Sequence, residues 1–137
     1  MPATLIAFRP APPSIQWLPF DEATFAAAQA ERRPVILDFS AEWCVPCHEL
    51  DEFTFSDPAV VRATEGFVRM RVDLTRFDSP ESQALRTRFA IAGVPTIVFL
   101  GADGREVADA RVVGFMKPGP FLERVRLALA APSAAAR

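Results

Sequence analysis

The fold is decided by residues 35–48, which read VILDFSAEWCVPCH. Residues 35–39 are apolar or β-branched apart from Asp38, and such a short run is typical of a central strand buried on both faces. Residues 41–43 predict a turn, after which a helix is expected from about Cys44 to residue 55. Cys44 and Cys47 stand three positions apart on one face of that helix, so their sulfur atoms can approach bonding distance.

The two cysteines are expected to differ in reactivity. Cys44 is placed at the helix N-terminus, where free backbone N–H groups and the helix dipole stabilise a thiolate. Cys47 lies one turn inside the helix and should be shielded. We therefore predict that Cys44 attacks a disulfide of a partner protein and that Cys47 resolves the mixed disulfide. A static disulfide is the alternative, but a bond that closes so small a loop constrains the unfolded chain little.

His48 directly follows the pair, and Cys-x-x-Cys-His is also the attachment motif of c-type haem. A monohaem electron carrier is therefore a second hypothesis, with Met70 or Met116 as the sixth iron ligand. It needs a mainly helical pocket, which the apolar strands expected at 35–39 and 95–100 fit poorly, so His48 is expected on the helix surface. With two cysteines and one histidine, a zinc site made of Cys and His alone is incomplete. No metal or organic cofactor is expected.

Two acidic residues lie close to the cysteine pair in the sequence. Asp38 interrupts the buried strand, where burial should raise the pKa of its carboxyl group. It is a candidate proton acceptor for Cys47, because ionisable residues in apolar surroundings concentrate at functional sites. A hydrated position at the strand edge is the alternative. Asp51 lies one turn beyond Cys47 and could face Asp38, and two acids near Cys44 would oppose ionisation of its thiol.

Pro95 opens the second apolar run. Proline cannot donate to a strand ladder, so it must begin the strand or occupy an irregularity. A cis bond before Pro95 would expose backbone beside Cys44 for pairing with an incoming peptide. The candidate substrate contacts are the neighbours of these positions, Trp43, Val94 and Thr96.

The rest of the chain alternates helices and strands. Helices are expected at 20–33, from 58, at 80–89 and at 120–130, the first three capped by Asp21, Asp57 and Ser79. Strands are expected at 67–74 and 95–100 and, after a hairpin turn at 102–104, at 106–113. Helices between strands require parallel pairing with right-handed crossovers. We therefore predict an α/β fold with a mixed sheet of four or five strands and helices on both faces.

The length of 137 residues is that of one domain. Five prolines within residues 1–19 predict an extended leader or linker, the folded domain is expected over 20–131, and residues 132–137 should form a flexible tail. The formal net charge of −2 disfavours a nucleic-acid binder. No apolar run reaches the roughly 18–20 residues of a membrane-spanning helix. Residues 4–8 are too short for the core of a signal peptide, so an exported protein would carry its signal outside this chain.

Residues 37–60 and the later stretches GVPTIVFL and ARVVGFM resemble the thioredoxin superfamily. Within it, they resemble the C-terminal periplasmic domain of DsbD, the transmembrane thiol:disulfide interchange protein family. The resemblance covers residues 20–130 and implies a thioredoxin fold with an N-terminal extension. It implies these site residues: Cys44 as nucleophile, Cys47 as resolving thiol, Pro95 as cis-proline, and Asp38 with Asp51 as the acidic pair that tunes the nucleophile. Asp51 stands where the family has Glu, and Pro46, as in thioredoxin itself, where a small residue is common.

The resemblance also implies a function. In that family the domain takes reducing equivalents from a membrane domain and passes them to an N-terminal periplasmic domain, which supplies disulfide isomerases and cytochrome c maturation proteins. We therefore expect a monomeric, periplasmic protein-disulfide reductase whose partners are thiol–disulfide proteins and not nucleic acids. The chain is expected to be an excised domain or a free-standing relative. A standalone thioredoxin-like isomerase or chaperone is the remaining alternative.

Overall fold

A computed structural model describes residues 14–131, and within that range it shows one five-stranded mixed sheet. Its strands are β1 (Leu18–Pro19), β2 (Val35–Ser40), β3 (Val68–Asp73), β4 (Thr96–Leu100) and β5 (Val112–Val113). The spatial order is β1-β3-β2-β4-β5. Strands β1 and β2 run parallel to β3, whereas β4 is antiparallel to both β2 and β5. The mixed sheet confirms the predicted fold class.

Helices connect the strands and close the fold. They are α1 (Glu22–Ala30), α2 (Val45–Glu49), α3 (Pro58–Ala63), α4 (Pro80–Phe89) and α5 (Pro118–Ala130). The predicted caps are confirmed, because the side chains of Asp21, Asp57 and Ser79 accept backbone N–H groups at the starts of α1, α3 and α4. Among residues 14–131, no helix is long and apolar enough to span a bilayer.

The helix that follows the cysteines departs from the prediction. Instead of continuing as an α-helix to residue 55, α2 passes into a π-helical segment, Leu50–Thr54. The N–H group of Phe55 donates to the carbonyl of Leu50 at 2.7 Å, one residue further back than in an α-helix. The buried hydroxyl of Thr54 donates to the carbonyl of Met116 at 2.5 Å. The π-helical segment is thereby fixed to the loop before α5.

The C-terminal third also differs from the prediction. Residues 106–113 do not form one strand, because a 3-10 turn (Ala108–Ala110) separates an isolated bridge at Glu106 from β5. The guanidinium of Arg111 binds the carboxylate of Glu106 and two carbonyl groups at the end of α4, which fixes this irregular path. Helix α5 begins at Pro118 rather than 120. Its N-cap residue, Lys117, makes no capping hydrogen bond with its side chain. The sequence therefore has no capping residue that identifies this helix start.

The folded part of the chain begins before residue 20. Leu18 pairs with Met70 in the sheet. Ile15 is buried, and its N–H group donates to the carbonyl of Phe55 at 2.9 Å. Residues 15–19 therefore pack on the domain, although from the sequence we expected them to belong to an extended leader or linker. The rest of the expected leader, residues 1–13, and the expected tail, 132–137, lie outside the described residues.

The sheet separates two clusters of buried apolar side chains. Alternating residues of β2 enter opposite clusters: Ile36 enters the cluster that includes Leu50 of the π-helical segment, whereas Leu37 and Phe39 enter the cluster that includes Phe25 of α1. Asp38 lies two positions after Ile36 and therefore on the same strand face. That is the face covered by the segment that follows the cysteines.

Candidate active site

Cys44 and Cys47 are joined by a disulfide, and their Cα atoms are 5.3 Å apart. Cys44 is the N-cap of α2, with extended backbone, and its sulfur accepts the backbone N–H of Cys47 at 3.2 Å. This is the helix-start position that the sequence predicts. Exposure does not separate the two residues in this oxidised state, since Cys44 is 4% and Cys47 3% exposed. The expected difference in reactivity between the two cysteines therefore depends on their positions along the helix.

Trp43 stands at the surface beside Cys44 and is 56% exposed. Its indole N–H donates to the carbonyl of Thr75 at 2.8 Å, and its ring packs edge-on against Phe77 with the ring centroids 6.0 Å apart. The loop after β3 thus fixes the ring without covering it. An exposed aromatic ring held in one place is well suited to contact a partner protein.

The loop before β4 reaches the cysteines from the other side. Its Val94–Pro95 peptide bond is cis, as the resemblance implied. The side chain of Val94 packs against the buried cluster formed by Ala41 and the two cysteines. The carbonyl of Pro95 accepts the N–H of Gly114 at 2.9 Å, whereas within the described residues neither backbone polar group of Val94 forms a hydrogen bond. The backbone of Val94 is therefore available for pairing.

The side chain of Thr96, a candidate substrate contact, turns inward. It is 2% exposed, and its hydroxyl donates to the carbonyl of Gly93 at 2.7 Å. The side chain therefore closes the proline loop from inside instead of facing a partner.

Asp38 and Asp51 lie close together, as predicted, but a third residue stands between them. Arg71 of β3 is directly opposite Asp38 in the sheet register, and its Nε donates to Asp38 Oδ2 at 2.8 Å. The two terminal nitrogens of Arg71 donate to the two carboxylate oxygens of Asp51, at 2.6 and 3.3 Å. One guanidinium group thus joins both acids.

Asp38 is only 1% exposed, which excludes the hydrated position at the strand edge. Burial raises the pKa of its carboxyl group to about 6, while the charge and hydrogen bond of Arg71 act in the opposite direction and the charge of Asp51 adds to the rise. Oδ1 of Asp38 is buried and has no hydrogen-bond partner among the described residues. Buried carboxylate oxygens usually have a hydrogen-bond partner, so Oδ1 of Asp38 is an exception.

The cluster formed by Asp38, Asp51 and Arg71 is covered on one side and open on the other. Trp17, just before β1, packs edge-on against Phe55, and its ring centroid lies 5.3 Å from the guanidinium carbon of Arg71. On the other side, the half-exposed Asp51 borders a cleft of about 180 Å³. The residues that line this cleft are Ser40, Ala41, Glu42, His48, Asp51, Arg71 and Asp73.

The sequence analysis did not identify Arg71. A signal was present, because Val68, Met70 and Val72 of β3 are buried while the residues between them, Arg69 and Arg71, turn to the other face. To place Arg71 opposite Asp38, however, one must know the register between β2 and β3, and the sequence of either strand alone does not give it.

His48 lies on the helix surface, as predicted, with its Nε2 atom 2.6 Å from the carbonyl oxygen of Glu42. The haem hypothesis required a mainly helical pocket, and the five-stranded sheet contradicts that requirement. Met70, one of the two suggested iron ligands, is buried in the cluster on the opposite face of the sheet. In the part of the chain that the structure describes, no group of three or more His, Cys, Asp or Glu side chains is arranged to hold a metal ion.

A Cys-x-x-Cys disulfide at the start of the helix that follows the central strand of a mixed α/β sheet defines a thiol–disulfide oxidoreductase. The family model of the thioredoxin-like domain matches residues 21–128. The chain belongs to this thioredoxin-like family.

Curated relatives narrow the resemblance. The chain is 44% identical over 101 residues to the thiol:disulfide interchange protein DsbD of Klebsiella pneumoniae and 42% identical over the same length to that of Vibrio vulnificus. Each match takes in 74% of this chain but 17% of the relative, so the chain spans about a sixth of the length of those proteins.

Solved structures agree with this assignment. A thioredoxin from Thermus thermophilus matches with a TM-score of 0.72 and 35% identity, covering 90% of this chain and 94% of that one. The oxidised C-terminal domain of Neisseria meningitidis DsbD matches with a TM-score of 0.66 and 29% identity, covering 79% and 95%. The resemblance stated from the sequence is thus confirmed.

Proposed function

We propose that this chain is a protein-disulfide reductase that passes electrons between partner proteins by dithiol/disulfide exchange. The observation that supports it most directly is the position of Cys44, which caps α2 beside the exposed Trp43 and packs with Val94 of the proline loop. The free backbone N–H groups of a helix start favour the thiolate form of a cysteine placed there.

The exchange starts from the reduced pair. The Cys44 thiolate attacks one sulfur of a partner disulfide, forms a mixed disulfide with it and releases the other partner sulfur as a thiolate. Cys47 then gives its proton to a base and attacks the Cys44 sulfur. This step restores the Cys44–Cys47 disulfide and releases the second partner thiolate. Two electrons have passed to the partner, whose thiolates then take up protons.

Asp38 is the base that we assign to the second step. Its pKa of about 6 leaves it mostly ionised at neutral pH, and its Oδ1 atom lacks a hydrogen-bond partner among the described residues. It lies on the strand face covered by Leu50, three residues after Cys47. On these grounds we assign Asp38 as the acceptor of the Cys47 proton.

The partner is held by the surface around the cysteines. The backbone of Val94 has no hydrogen bond within the described residues, so an extended partner segment can pair with it. Trp43 supplies an apolar contact beside the exchanged sulfur atoms.

The DsbD relatives support a more specific setting. We infer that the chain works in the periplasm as a monomer, where it accepts electrons from a membrane donor domain and passes them to a periplasmic acceptor domain. The supporting observation is 42–44% identity to proteins named thiol:disulfide interchange protein, over a stretch that includes the cysteine pair.

Trapping of a partner tests the proposed roles of the cysteines. Cys47→Ser should accumulate a mixed disulfide with a protein substrate such as insulin, because the resolving thiol is missing, whereas Cys44→Ser should trap nothing and lose reductase turnover. The adducts are measured by mass spectrometry and non-reducing electrophoresis, and the two serine variants control for each other. A mixed disulfide on Cys47 in the Cys44→Ser protein, or none in either variant, would contradict the assigned order.

The same preparation separates the alternatives. The wild-type chain is expected to reduce insulin without isomerising a protein with scrambled disulfides. Efficient isomerisation would instead favour the standalone isomerase, and a Soret band on the purified protein would favour the haem carrier.

A further inference from the structure

Two aromatic rings stand together at the surface of the protein. Phe53 belongs to the π-helical segment and is 54% exposed, and Phe115 belongs to the loop before α5 and is 37% exposed. Their ring centroids are 6.4 Å apart and the ring planes cross at 88°, which is an edge-to-face contact. A single apolar side chain on a surface needs no explanation, but two aromatic rings that meet there form an apolar patch. These two side chains form the Phe53–Phe115 pair.

The Phe53–Phe115 pair is held in place by the backbone on which it stands. Within the π-helical segment Leu50 and Thr54 are buried, whereas the ring of Phe53 is turned outward. The hydroxyl of Thr54 donates to the carbonyl of Met116. This hydrogen bond joins the residue that follows Phe53 to the residue that follows Phe115. Both rings therefore stand on fixed backbone, and a partner that covers them has little conformational freedom to remove.

The pair continues the surface around the cysteines. The N–H group of Gly114, the residue before Phe115, donates to the carbonyl of Pro95 at 2.9 Å. Val94, the residue before Pro95, packs against the buried cluster that contains both cysteines. A partner segment that pairs with the backbone of Val94 therefore lies next to the loop that carries Phe115.

The geometry of such a segment indicates which of its side chains meets the rings. A segment that pairs through its backbone is extended, so its side chains alternate between two faces. The reactive cysteine of the partner faces Cys44, and the residues two positions away from that cysteine share its face. An apolar side chain at one of these positions fits two exposed rings. A charged or polar side chain would lose its hydration there without gaining a hydrogen bond.

We propose that the Phe53–Phe115 pair is a specificity site of the exchange reaction, which binds an apolar side chain two residues from the reactive cysteine of an extended partner segment. The exchange itself is the same for every partner: Cys44 Sγ bonds to one partner sulfur, and the other partner sulfur leaves as a thiolate. The pair raises the rate for partners that carry the apolar side chain. This inference rests on the proposed function and adds the kind of sequence that the chain prefers in its partner.

Single-turnover reduction of two peptides tests the inference with the full-length chain, reduced beforehand. Each peptide has one cysteine and is supplied as its disulfide-linked dimer; one carries leucine at both positions two residues from the cysteine, and the other carries serine there. The released peptide thiol is measured by chromatography. The wild-type rate constant should be about tenfold larger for the leucine peptide. Phe53→Ala and Phe115→Ala should each lower this preference to about threefold or less. Hydroxyethyl disulfide, which is too small to reach the pair, should react equally fast with all three proteins.

Leu129→Ala is the matched control. Leu129 lies on α5 and is 57% exposed, close to the exposure of Phe53. It lines a cleft with Pro34, which precedes β2, and Gly101, which follows β4. The cysteines follow β2 and the proline loop precedes β4, so Leu129 lies at the opposite edge of the sheet. This variant should keep the wild-type preference for the leucine peptide.

Separate results would count against the inference and against the proposed function. Equal wild-type rate constants for the two peptides, or a preference that survives both Phe53→Ala and Phe115→Ala, would overturn the inference and leave the reductase function standing. Slower reaction of these variants with hydroxyethyl disulfide would also overturn it, because the rings would then act on the cysteines. If the wild-type chain reduces neither peptide nor hydroxyethyl disulfide, the proposed function fails.

A binding measurement decides the inference even in that case. The leucine peptide, with its cysteine S-methylated, is added to the oxidised chain and the ring signals of Phe53 and Phe115 are followed by NMR. These signals should shift with the leucine peptide and stay in place with the serine peptide. Ring signals that do not move with the leucine peptide would overturn the inference.

Two other occupants of the pair would give different results. If a second copy of the chain covered the rings, sedimentation would show a dimer that Phe53→Ala dissociates. If another segment of the same chain covered them, Phe53→Ala would lower the free energy of unfolding as much as the loss of a buried side chain does. The proposal expects a monomer, and in urea unfolding a loss for Phe53→Ala close to that of Leu129→Ala. Either contrary result would overturn it.

Discussion

A buried carboxylate is costly, and Asp38 is tolerated because of one neighbour. Transfer of a charged side chain from water to an apolar interior costs several kcal/mol unless the charge is paired and hydrogen-bonded. Arg71 supplies the pairing, yet it serves both Asp38 and Asp51, so the cluster retains negative charge. Asp38 is the more buried of the two acids. Its protonation is therefore the simplest way for the interior to lose that charge.

At this scale, Asp38→Asn is expected to lower the pKa of the Cys44 thiol in the reduced protein. The substitution removes a negative charge beneath the helix that carries the cysteine, so the thiolate becomes less unfavourable. The measurement is the ultraviolet absorbance of the thiolate against pH, in a Cys47→Ser background so that one thiol titrates. Asp78→Asn is the control, since the side chain of Asp78 is 92% exposed. Identical Cys44 titrations with and without Asp38 would remove this carboxylate from the site.

Single residues were predictable where their chemistry conflicts with their surroundings. The spacing of Cys44 and Cys47 and the acid within an apolar strand both stand out in the sequence, and both are where the prediction placed them. Arg71 does not stand out, because an arginine in an alternating strand is ordinary until the register places it against Asp38. The inward orientation of the Thr96 side chain was not predictable for a related reason. Its place in the sequence puts it next to Pro95 but does not say which way its side chain turns.

At the scale of elements, helix starts that carry a capping side chain were predictable, whereas the π-helical segment after the cysteines was not. The pairs Asp57-Pro58 and Ser79-Pro80 identify helix starts in the sequence, because a capping side chain and a proline at the first helical position act locally. The π-helical segment has no such local signature. Its position coincides with a hydrogen bond from Thr54 to Met116, which is 62 residues away in the sequence. Contacts of that range are set by the tertiary fold, which a local pattern does not report.

The N-terminal segment gives the prediction that belongs to this scale. Ile15→Ala should lower the free energy of unfolding by about 2–4 kcal/mol, because Ile15 is 4% exposed and packs in the cluster that contains Phe55. Urea unfolding of the oxidised chain measures the loss. The neighbouring Gln16→Ala is the control, and it should change stability by no more than about 0.5 kcal/mol because Gln16 is exposed. Equal effects of the two substitutions would show that residues before β1 do not belong to the folded domain.

At the scale of the whole molecule, the sheet assembles the site from distant parts of the chain. The parallel pairing of β2 with β3 places Arg71 opposite Asp38, and the antiparallel pairing of β2 with β4 places Phe39 opposite Thr96, next to the proline loop. The order of elements in the sequence predicts both pairings, because helices between strands impose crossovers and a late hairpin adds antiparallel strands. The register, which decides which side chains meet, had to come from the structure.

The raised pKa of Asp38 should also make the free energy of unfolding of the whole fold depend on pH. Its folded pKa of about 6 lies above the ordinary value of 3.8. Between these two pH values the folded chain binds more protons at this site than the unfolded chain, so its contribution is largest at acid pH and is lost as pH rises through about 6. In Asp38→Asn the residue at this position has no titratable group. The stability of the variant relative to wild type should therefore increase by about 2–3 kcal/mol between pH 4 and pH 7.5.

Urea unfolding of both oxidised proteins at the two pH values measures this difference. The comparison between the pH values removes any constant effect of the substitution, such as a weaker hydrogen bond from Arg71, since such an effect is the same at each pH. Asp78→Asn, at an exposed position, should give a difference that does not change with pH. If the stability gap between Asp38→Asn and wild type is also independent of pH, Asp38 titrates alike in the folded and unfolded chains, and it is not the proton acceptor that the exchange reaction requires.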